Sequence, residues 1–276
     1  DQQLLANLKS KPELARAGIS STRSVWAVFT DGRLFLHSFS FENTELNPNA
    51  AAASLTPLPK PLAKTTDNLP STKTATVLNA LGSAFDLGNF LTGYYGADQT
   101  RQDIAGFLTS SGYTVRSGND ASVAGLKRIN GDDAIFHITT HGDLGHNYDT
   151  TQTYYGIWTT DKVQSVAEDG FKTELDNGEL CYFSAPNRRG GLLSRDESEC
   201  HYAITDKFVL HYMHFGKNSL VYITACSSFS SDAGLLVDAF GIKQASVYLG
   251  WTEPTSSQDA FYAARFFFDR ALGMNK

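Results

Sequence analysis

Short apolar segments alternate with helical segments over residues 73–149 and again over 213–276. The apolar segments, each typical of a buried strand, are ATVLNALG, YTVRSG, DAIFHITT, SLVYITAC and ASVYLGW. The helical segments include SSQDAFYAARFFFDRALG, which has a serine at its start and Gly273 as its stop. Strands that alternate with helices favour a parallel sheet covered on both faces. We therefore predict an α/β fold, a mostly parallel sheet flanked by helices.

The segments outside this alternation suggest the domain organisation. Residues 1–46 are predicted to form a helix and a β-hairpin arm, because two β-rich segments flank Asp31-Gly32, a common hairpin turn. Residues 47–72 contain five of the eight prolines, a composition typical of a linker. Residues 73–276 form the predicted main domain, with a β-rich insertion over 150–212. The expected strands of the insertion are TQTYYGIWTT, ELCYFSAP and HYAITDKFVLHYM.

Charge, hydropathy and cysteine content indicate which partners and which cellular compartment to expect. The chain has 23 basic and 29 acidic side chains, a net charge of −6, which argues against a nucleic-acid or anionic-membrane surface. No run approaches the roughly 18 apolar residues of a membrane-spanning helix. Cys181 and Cys200 flank a Gly-rich stretch and could form a disulfide. That pair, together with a start at Asp1 rather than Met, favours a secreted or periplasmic protein.

Two of the predicted strands end in chemically reactive side chains. The segment DAIFHITT leads to His141-Gly142, and SLVYIT leads to Ala225-Cys226. Ligands of an open parallel sheet bind beyond the carboxyl ends of its strands. If the two strands are neighbours, an imidazole and a thiol meet at that edge. Cys226 would then attack a carbonyl while His141 transfers the proton, and the Gly142 N–H could approach the oxyanion.

The order of these motifs resembles the caspase-like, clan CD cysteine peptidases. The blocks AIFHITTHG and LVYITAC are similar to that group's pattern of one strand ending in His-Gly and another in Ala-Cys. The segment after the cysteine, up to Trp251 and a final helix, is similar to CHAT and separase-like domains. The resemblance covers about residues 74–276 without the insertion. It implies a caspase-like fold and a cysteine endopeptidase that needs no cofactor.

The resemblance also implies the roles of particular residues. His141 and Cys226 would be the dyad, with a thioester acyl-enzyme as the intermediate. Relatives place an acidic residue or a glutamine near the cysteine to select the P1 side chain, but this chain has Thr224 there. Separase-like relatives have acidic residues after the tryptophan. By analogy, substrate-binding residues would be Trp251, Glu253 and Asp259, with a basic P1 side chain if either acidic residue lines the pocket. Asp259 could instead simply favour a helix start.

Two other functions stay open at this point. A caspase-like domain can lose catalysis and persist as an interaction module. Alternatively, His137, His141, Asp143 and His146 could form the site of a metal-dependent hydrolase. On a strand, however, residues four apart are separated by about 13 Å, too far for His137 and His141 to share one ion.

The loop at 187–199 is rich in charge and glycine. It contains Arg188, Arg189 and Arg195 in the stretch NRRGGLLSRDESE. Exposed loops of this kind are frequent sites of proteolytic cleavage. If the enzyme cleaves after basic residues, it could process itself in this loop.

Overall fold

The computed structural model describes residues 2–20, 23–38, 70–81, 96–131, 133–146, 153–164, 170–186 and 198–274. In these residues the strands are β1 (Leu14–Ile19), β2 (Val25–Phe29), β3 (Leu34–His37), β4 (Thr74–Asn79), β5 (Thr114–Gly118), β6 (Asp133–Thr139), β7 (Gly142–His146), β8 (Thr153–Lys162), β9 (Leu180–Pro186), β10 (Ser198–Ile204), β11 (Ser219–Thr224) and β12 (Ala245–Leu249). The helices are α1 (Gln2–Lys9), α2 (Ala97–Ser110), α3 (Val123–Leu126), α4 (Lys172–Asp176), α5 (Asp206–Tyr212), α6 (Gly234–Ile242) and α7 (Ser257–Ala271).

Five strands form a wholly parallel sheet in the order β12-β11-β6-β4-β5. Helices α2 and α7 pack against each other and cover one face of this sheet, and α6 lies on the opposite face. The covered faces explain why β6 is buried along its whole length. The predicted α/β class, with a parallel sheet flanked by helices, is therefore confirmed.

Seven strands form a second, mixed sheet in the order β1-β2-β3-β9-β10-β8-β7. The predicted hairpin at Asp31-Gly32 joins β2 to β3, and Gly32 has the positive φ of +92° that such a turn requires. Strand β3 then pairs in parallel with β9, in the register Phe35–Tyr182. The N-terminal hairpin and the insertion, predicted as separate additions, thus belong to one sheet.

One apolar core joins the two sheets. It includes residues of the parallel sheet, of the mixed sheet and of α6, for example Ile138, Ile223, Tyr155, Ile157 and Leu236. All five are almost fully buried. Burial of this kind stabilises by roughly 1.5–3 kcal/mol per large apolar side chain. The mixed sheet therefore packs as part of the same core as the parallel sheet.

Three local predictions need correction. The N-terminal helix, expected over QQLLANLKSKPELARAG, ends at Lys9, because Pro12 follows and the chain continues as β1. The segment HYAITDKFVLHYM is a strand only to Ile204 and then becomes α5. His146, which the sequence suggests is a loop residue, lies instead at the end of strand β7, which pairs with β8. The predicted linker at 47–72 lies outside the described residues up to position 69.

The start and stop signals of the last helix are confirmed. Ser256 caps α7 by accepting a hydrogen bond from the Asp259 N–H, and Gly273 follows the helix with a φ of +73°. Within the described residues, no helix is both long enough and apolar enough to cross a membrane.

Candidate active site

The parallel sheet brings the ends of β6 and β11 side by side. The two strands are neighbours in parallel register, with Thr139 opposite Thr224. The Thr140 N–H continues the pairing by donating to the Thr224 carbonyl oxygen at 3.0 Å. His141 and Cys226 each follow this last pair by two residues. Both residues therefore lie at the same carboxyl edge, as the sequence predicted if the strands were neighbours.

Cys226 is half-buried and its thiol is already engaged. Its Sγ donates to the Thr255 carbonyl oxygen at 3.6 Å. Burial raises the pKa of the Cys226 thiol above its ordinary value, and the charge of nearby Asp143 adds to that effect, although the Thr255 contact opposes it. In this state the group is a thiol and requires a base to become a nucleophile.

The backbone turns sharply directly after the cysteine. Ser227 has a φ of +55°, in the left-handed region that a non-glycine residue seldom adopts. The Ser227 N–H donates to the Glu253 carbonyl oxygen at 3.1 Å. The buried Ser228 hydroxyl donates to the Ile223 carbonyl at 3.0 Å and accepts from the Trp251 N–H at 3.1 Å. The segment after β12 thus holds the turn in its strained conformation.

His141 is held by a tryptophan of β8. The backbone N–H of Trp158 donates to the His141 carbonyl oxygen at 3.0 Å, and the centroids of the two rings lie 5.1 Å apart. The Thr140 hydroxyl donates to the Trp158 carbonyl at 2.7 Å. The indole also packs on the ring of the buried His201, with centroids 4.0 Å apart. These contacts fix both the backbone and the ring plane of His141.

A tyrosine of β8 lies between Gly142 and the cysteine. A Cβ placed on Gly142 would lie 2.0 Å from Tyr155 Oη, so any side chain larger than hydrogen would collide with the phenol. The Tyr155 hydroxyl donates to the carbonyl oxygen of Cys226. Close packing against Tyr155 is thus sufficient to require glycine at position 142. The oxyanion role of Gly142 stays a prediction.

The histidine-rich segment does not converge on a metal site among the described residues. His137 is buried, its Nε2 lies 3.0 Å from Thr224 Oγ1, and its ring packs edge-on against Tyr222 and Phe268. Burial lowers the pKa of His137 to about 3, so the ring is neutral. Within the described residues, no three His, Cys, Asp or Glu side chains are grouped to hold an ion; the His146 side chain lies outside them.

Asp143 lies between the site and the N-terminal hairpin. Its carboxylate is buried and accepts hydrogen bonds from the hydroxyls of Ser24 and Ser38, the latter at 2.7 Å. Its Oδ1 also accepts from the Leu144 N–H at 2.8 Å. The carboxylate therefore ties β7, two residues after His141, to the hairpin predicted as an independent arm.

The three predicted substrate-binding residues have different surroundings. Trp251 packs with Ala97, Ala260 and Phe261 beside the carboxyl edge. The exposed Glu253 uses its backbone to hold the turn after Cys226. The Asp259 carboxylate accepts from the Ser256 hydroxyl at 2.7 Å, which completes the cap of α7. Asp259 thus takes part in the N-terminal cap of α7. The substrate-binding role of all three residues stays a prediction.

Cys181 and Cys200 are free thiols on neighbouring strands. In the β9–β10 register Cys181 lies opposite Ala203 and Cys200 lies opposite Ser184. This offset of three residues places the two side chains on opposite faces of the sheet. A disulfide needs its two Cα atoms within about 7 Å and its Cβ atoms facing each other, so the predicted pairing does not form in this fold.

The residues that sequence reasoning missed are Tyr155 and Trp158. They come from TQTYYGIWTT, which the alternation of apolar residues marked only as an extra strand. Their proximity to His141 and Cys226 depends on the pairing of β7 with β8. The one available signal was the unusual density of aromatic residues directly after the histidine segment.

Comparison with known proteins gives no relative. No family model, no curated protein and no solved structure matches the chain. The likeness to caspase-like peptidases consequently stays an interpretation of the motifs and the parallel sheet.

Proposed function

We propose that the chain is a cysteine endopeptidase in which Cys226 and His141 form the catalytic dyad. The observation that supports this most strongly is the parallel register of β6 and β11, after which the imidazole and the thiol each follow by two residues. A fixed backbone at both groups lowers the entropic cost of bringing them into a reactive geometry.

The chemistry proceeds in two steps. His141 accepts the proton of Cys226 as the sulfur bonds to the scissile carbonyl carbon, and the imidazolium then protonates the departing amine to leave a thioester. In the second step His141 takes a proton from water as its oxygen bonds to the thioester carbon, the C–S bond breaks, and the carboxylic acid product leaves. The imidazolium returns its proton to the Cys226 sulfur, which restores the starting thiol and the neutral imidazole. The raised pKa of Cys226 means that little thiolate exists before the base acts.

The substrate is a polypeptide, and a basic P1 side chain is the preferred candidate. Glu253 is exposed and lies on the segment whose carbonyl holds the Ser227 N–H. Its carboxylate is available for charge-assisted pairing with Arg or Lys. Asp259 is the weaker of the two candidates, because its carboxylate is already bonded to Ser256.

Self-processing in the 187–199 loop follows from a basic P1 preference. Positions 187–197 lie outside the described residues, so this proposal depends on the sequence of the loop alone. Intact mass of the purified enzyme tests it: fragments ending after Arg188, Arg189 or Arg195 in the wild type, absent in Cys226→Ala, are expected. A fully active enzyme with an uncut chain would contradict it.

A catalytically silent interaction module is the second candidate. One observation favours it: the Cys226 thiol donates to the Thr255 carbonyl, which gives the sulfur a partner other than a base. In that case the same fold would present a closed site.

Active-site labelling separates these two functions. The protein is incubated with peptidyl acyloxymethyl ketones carrying Arg, Lys, Asp, Asn or Leu at P1, with Cys226→Ala as the control. Labelling of Cys226 that is lost in the variant is expected, with Arg or Lys preferred. No labelling of a folded sample by any of the five probes would contradict the peptidase proposal and favour the silent module.

A further inference from the structure

Strand β8 reaches both reactive residues of the candidate site. The Tyr155 hydroxyl donates to the Cys226 carbonyl, and the backbone N–H of Trp158 donates to the His141 carbonyl while the indole packs on the imidazole. These two contacts lie three residues apart on one strand of the mixed sheet. The strand belongs to the insertion that the caspase-like pattern leaves unmatched.

We propose that β8 is the positioning element of the dyad, with Tyr155 setting the place of the Cys226 backbone and Trp158 setting the ring of His141. This proposal rests on the proposed peptidase function. It assigns to the insertion a direct part in aligning the thiol with the imidazole.

The Tyr155 contact acts at the most strained point of the site. The carbonyl that the phenol holds belongs to the peptide bond between Cys226 and Ser227, whose φ is +55°. Burial raises the pKa of Tyr155 well above its ordinary value, so the hydroxyl stays a donor at all physiological pH values. Without this donor, the peptide can rotate toward a more common conformation, and the Cys226 side chain would shift relative to His141.

The Trp158 contact restrains the histidine from two directions. The backbone bond fixes the carbonyl of His141, and the indole contacts both the imidazole and the buried ring of His201. The Thr140 hydroxyl holds the tryptophan backbone in turn. A smaller ring at this position would leave the imidazole free to tilt.

The neighbouring residue Tyr154 provides a matched control. It lies on the same strand and is buried like Tyr155, but its hydroxyl donates to the Phe35 carbonyl of β3 at 3.3 Å. Tyr154→Phe therefore removes a buried hydroxyl from the same strand on the side of the hairpin. For Trp158→Phe, the matched control is Trp26→Phe in β2, which also shortens a buried tryptophan.

The experiment compares two rates at Cys226 in the full chain. The first is labelling by the best acyloxymethyl ketone, resolved into kinact and KI, and the second is alkylation by iodoacetamide at pH 7, quantified on the Cys226 peptide by mass spectrometry. For Tyr155→Phe we expect kinact to fall by about 10- to 100-fold with KI nearly unchanged, and alkylation to slow as well. Trp158→Phe should lower kinact by about 3- to 10-fold.

The controls decide between positioning and a general loss of stability. Tyr154→Phe and Trp26→Phe should keep kinact within about twofold of the wild type, although each loses thermal stability to a similar extent as its partner variant. Equal kinact values in Tyr155→Phe and Tyr154→Phe, or alkylation that is unchanged or faster in Tyr155→Phe, would overturn the positioning proposal.

Failure of the proposed function has a separate signature. It would appear in the wild type, as absence of ketone labelling together with alkylation that His141→Ala leaves unchanged. Failure of the positioning proposal alone would leave the wild type labelled and dependent on His141, with the Tyr155 and Tyr154 variants alike.

Discussion

The five-stranded sheet and the seven-stranded sheet contribute different things to the same edge of the molecule. The parallel sheet places His141 and Cys226 two residues beyond paired positions of neighbouring strands. The mixed sheet contributes Tyr155 and Trp158, which bond to the backbones of those residues. Strand register alone brings two backbones together, but the orientation of a side chain needs contacts from outside the strand. The parallel sheet therefore sets the positions of the two reactive residues, and the mixed sheet restrains them there.

The two sheets also differ in how they are assembled from the sequence. Every strand of the parallel sheet lies between residues 74 and 249, in the alternation typical of this architecture. The mixed sheet combines a hairpin ending at His37 with strands that begin at Gly142. Because β7 follows His141 directly, the histidine lies at the point where the chain passes from one sheet to the other.

Replacing His141 tests the contribution of the parallel sheet most strongly. We expect His141→Ala to lower kcat by about 10²- to 10⁴-fold, because general acid–base catalysis at both steps is removed. Peptide hydrolysis with the substrate that corresponds to the best probe provides the measurement. The exposed His211→Ala serves as the control and should leave kcat unchanged. A similar kcat for both variants would show that another group is the base.

Adding a methyl group at Gly142 tests the contact between the two sheets. The new Cβ would collide with Tyr155 Oη, which is part of the shared core, so we expect Gly142→Ala to lower the free energy of unfolding by about 1–3 kcal/mol. Urea unfolding followed by circular dichroism gives the value.

Gly106→Ala is the matched control for that substitution. Gly106 lies inside α2 and a Cβ there has no neighbour within 4 Å. Alanine in a helix interior should stabilise by roughly 0.5–1 kcal/mol. If Gly142→Ala lowers the free energy of unfolding while Gly106→Ala raises it, the loss arises at the Tyr155 contact. An unchanged free energy of unfolding in Gly142→Ala would mean that the phenol moves freely.

Sequence alone predicted the parallel sheet and the position of the candidate dyad in it. The signals were local: apolar strands, helix caps at Ser256 and Gly273, and reactive residues directly after DAIFHITT and SLVYIT. Each of these depends on residues within a few positions of one another. The order of strands in an alternating α/β chain adds few further choices.

Sequence could not predict the mixed sheet or the residues that hold the site. The pairing of β3 with β9 joins residues about 150 positions apart, and no local pattern specifies that partner. The same holds for Asp143, whose partners Ser24 and Ser38 lie in the hairpin. Because the sequence does not reveal these partners, Asp143 could be interpreted as a metal ligand and Tyr155 as an ordinary aromatic residue of a strand.

The last expected effect depends on pH and concerns His137, the buried histidine of the parallel sheet. Burial lowers its pKa to about 3, below the ordinary value near 6.5, so the folded state favours the neutral ring. The free energy of unfolding is not reduced by this histidine above about pH 6.5, where the ring is neutral in both states. It falls as the pH is lowered from 6.5 toward 3. The unfolded chain takes up one proton that the folded chain does not, which makes stability fall by up to about 1.4 kcal/mol per pH unit in that window.

Substitution of His137 by leucine removes this dependence and places an apolar side chain of similar size against the rings of Tyr222 and Phe268. We expect His137→Leu to lose stability less steeply than the wild type between pH 6.5 and pH 4, measured by urea unfolding at several pH values. The other titrating groups are common to both proteins, so the difference in slope belongs to this one ring. Parallel curves would mean that His137 can take up a proton inside the sheet, and that its environment beside Thr224 is more polar than its burial indicates.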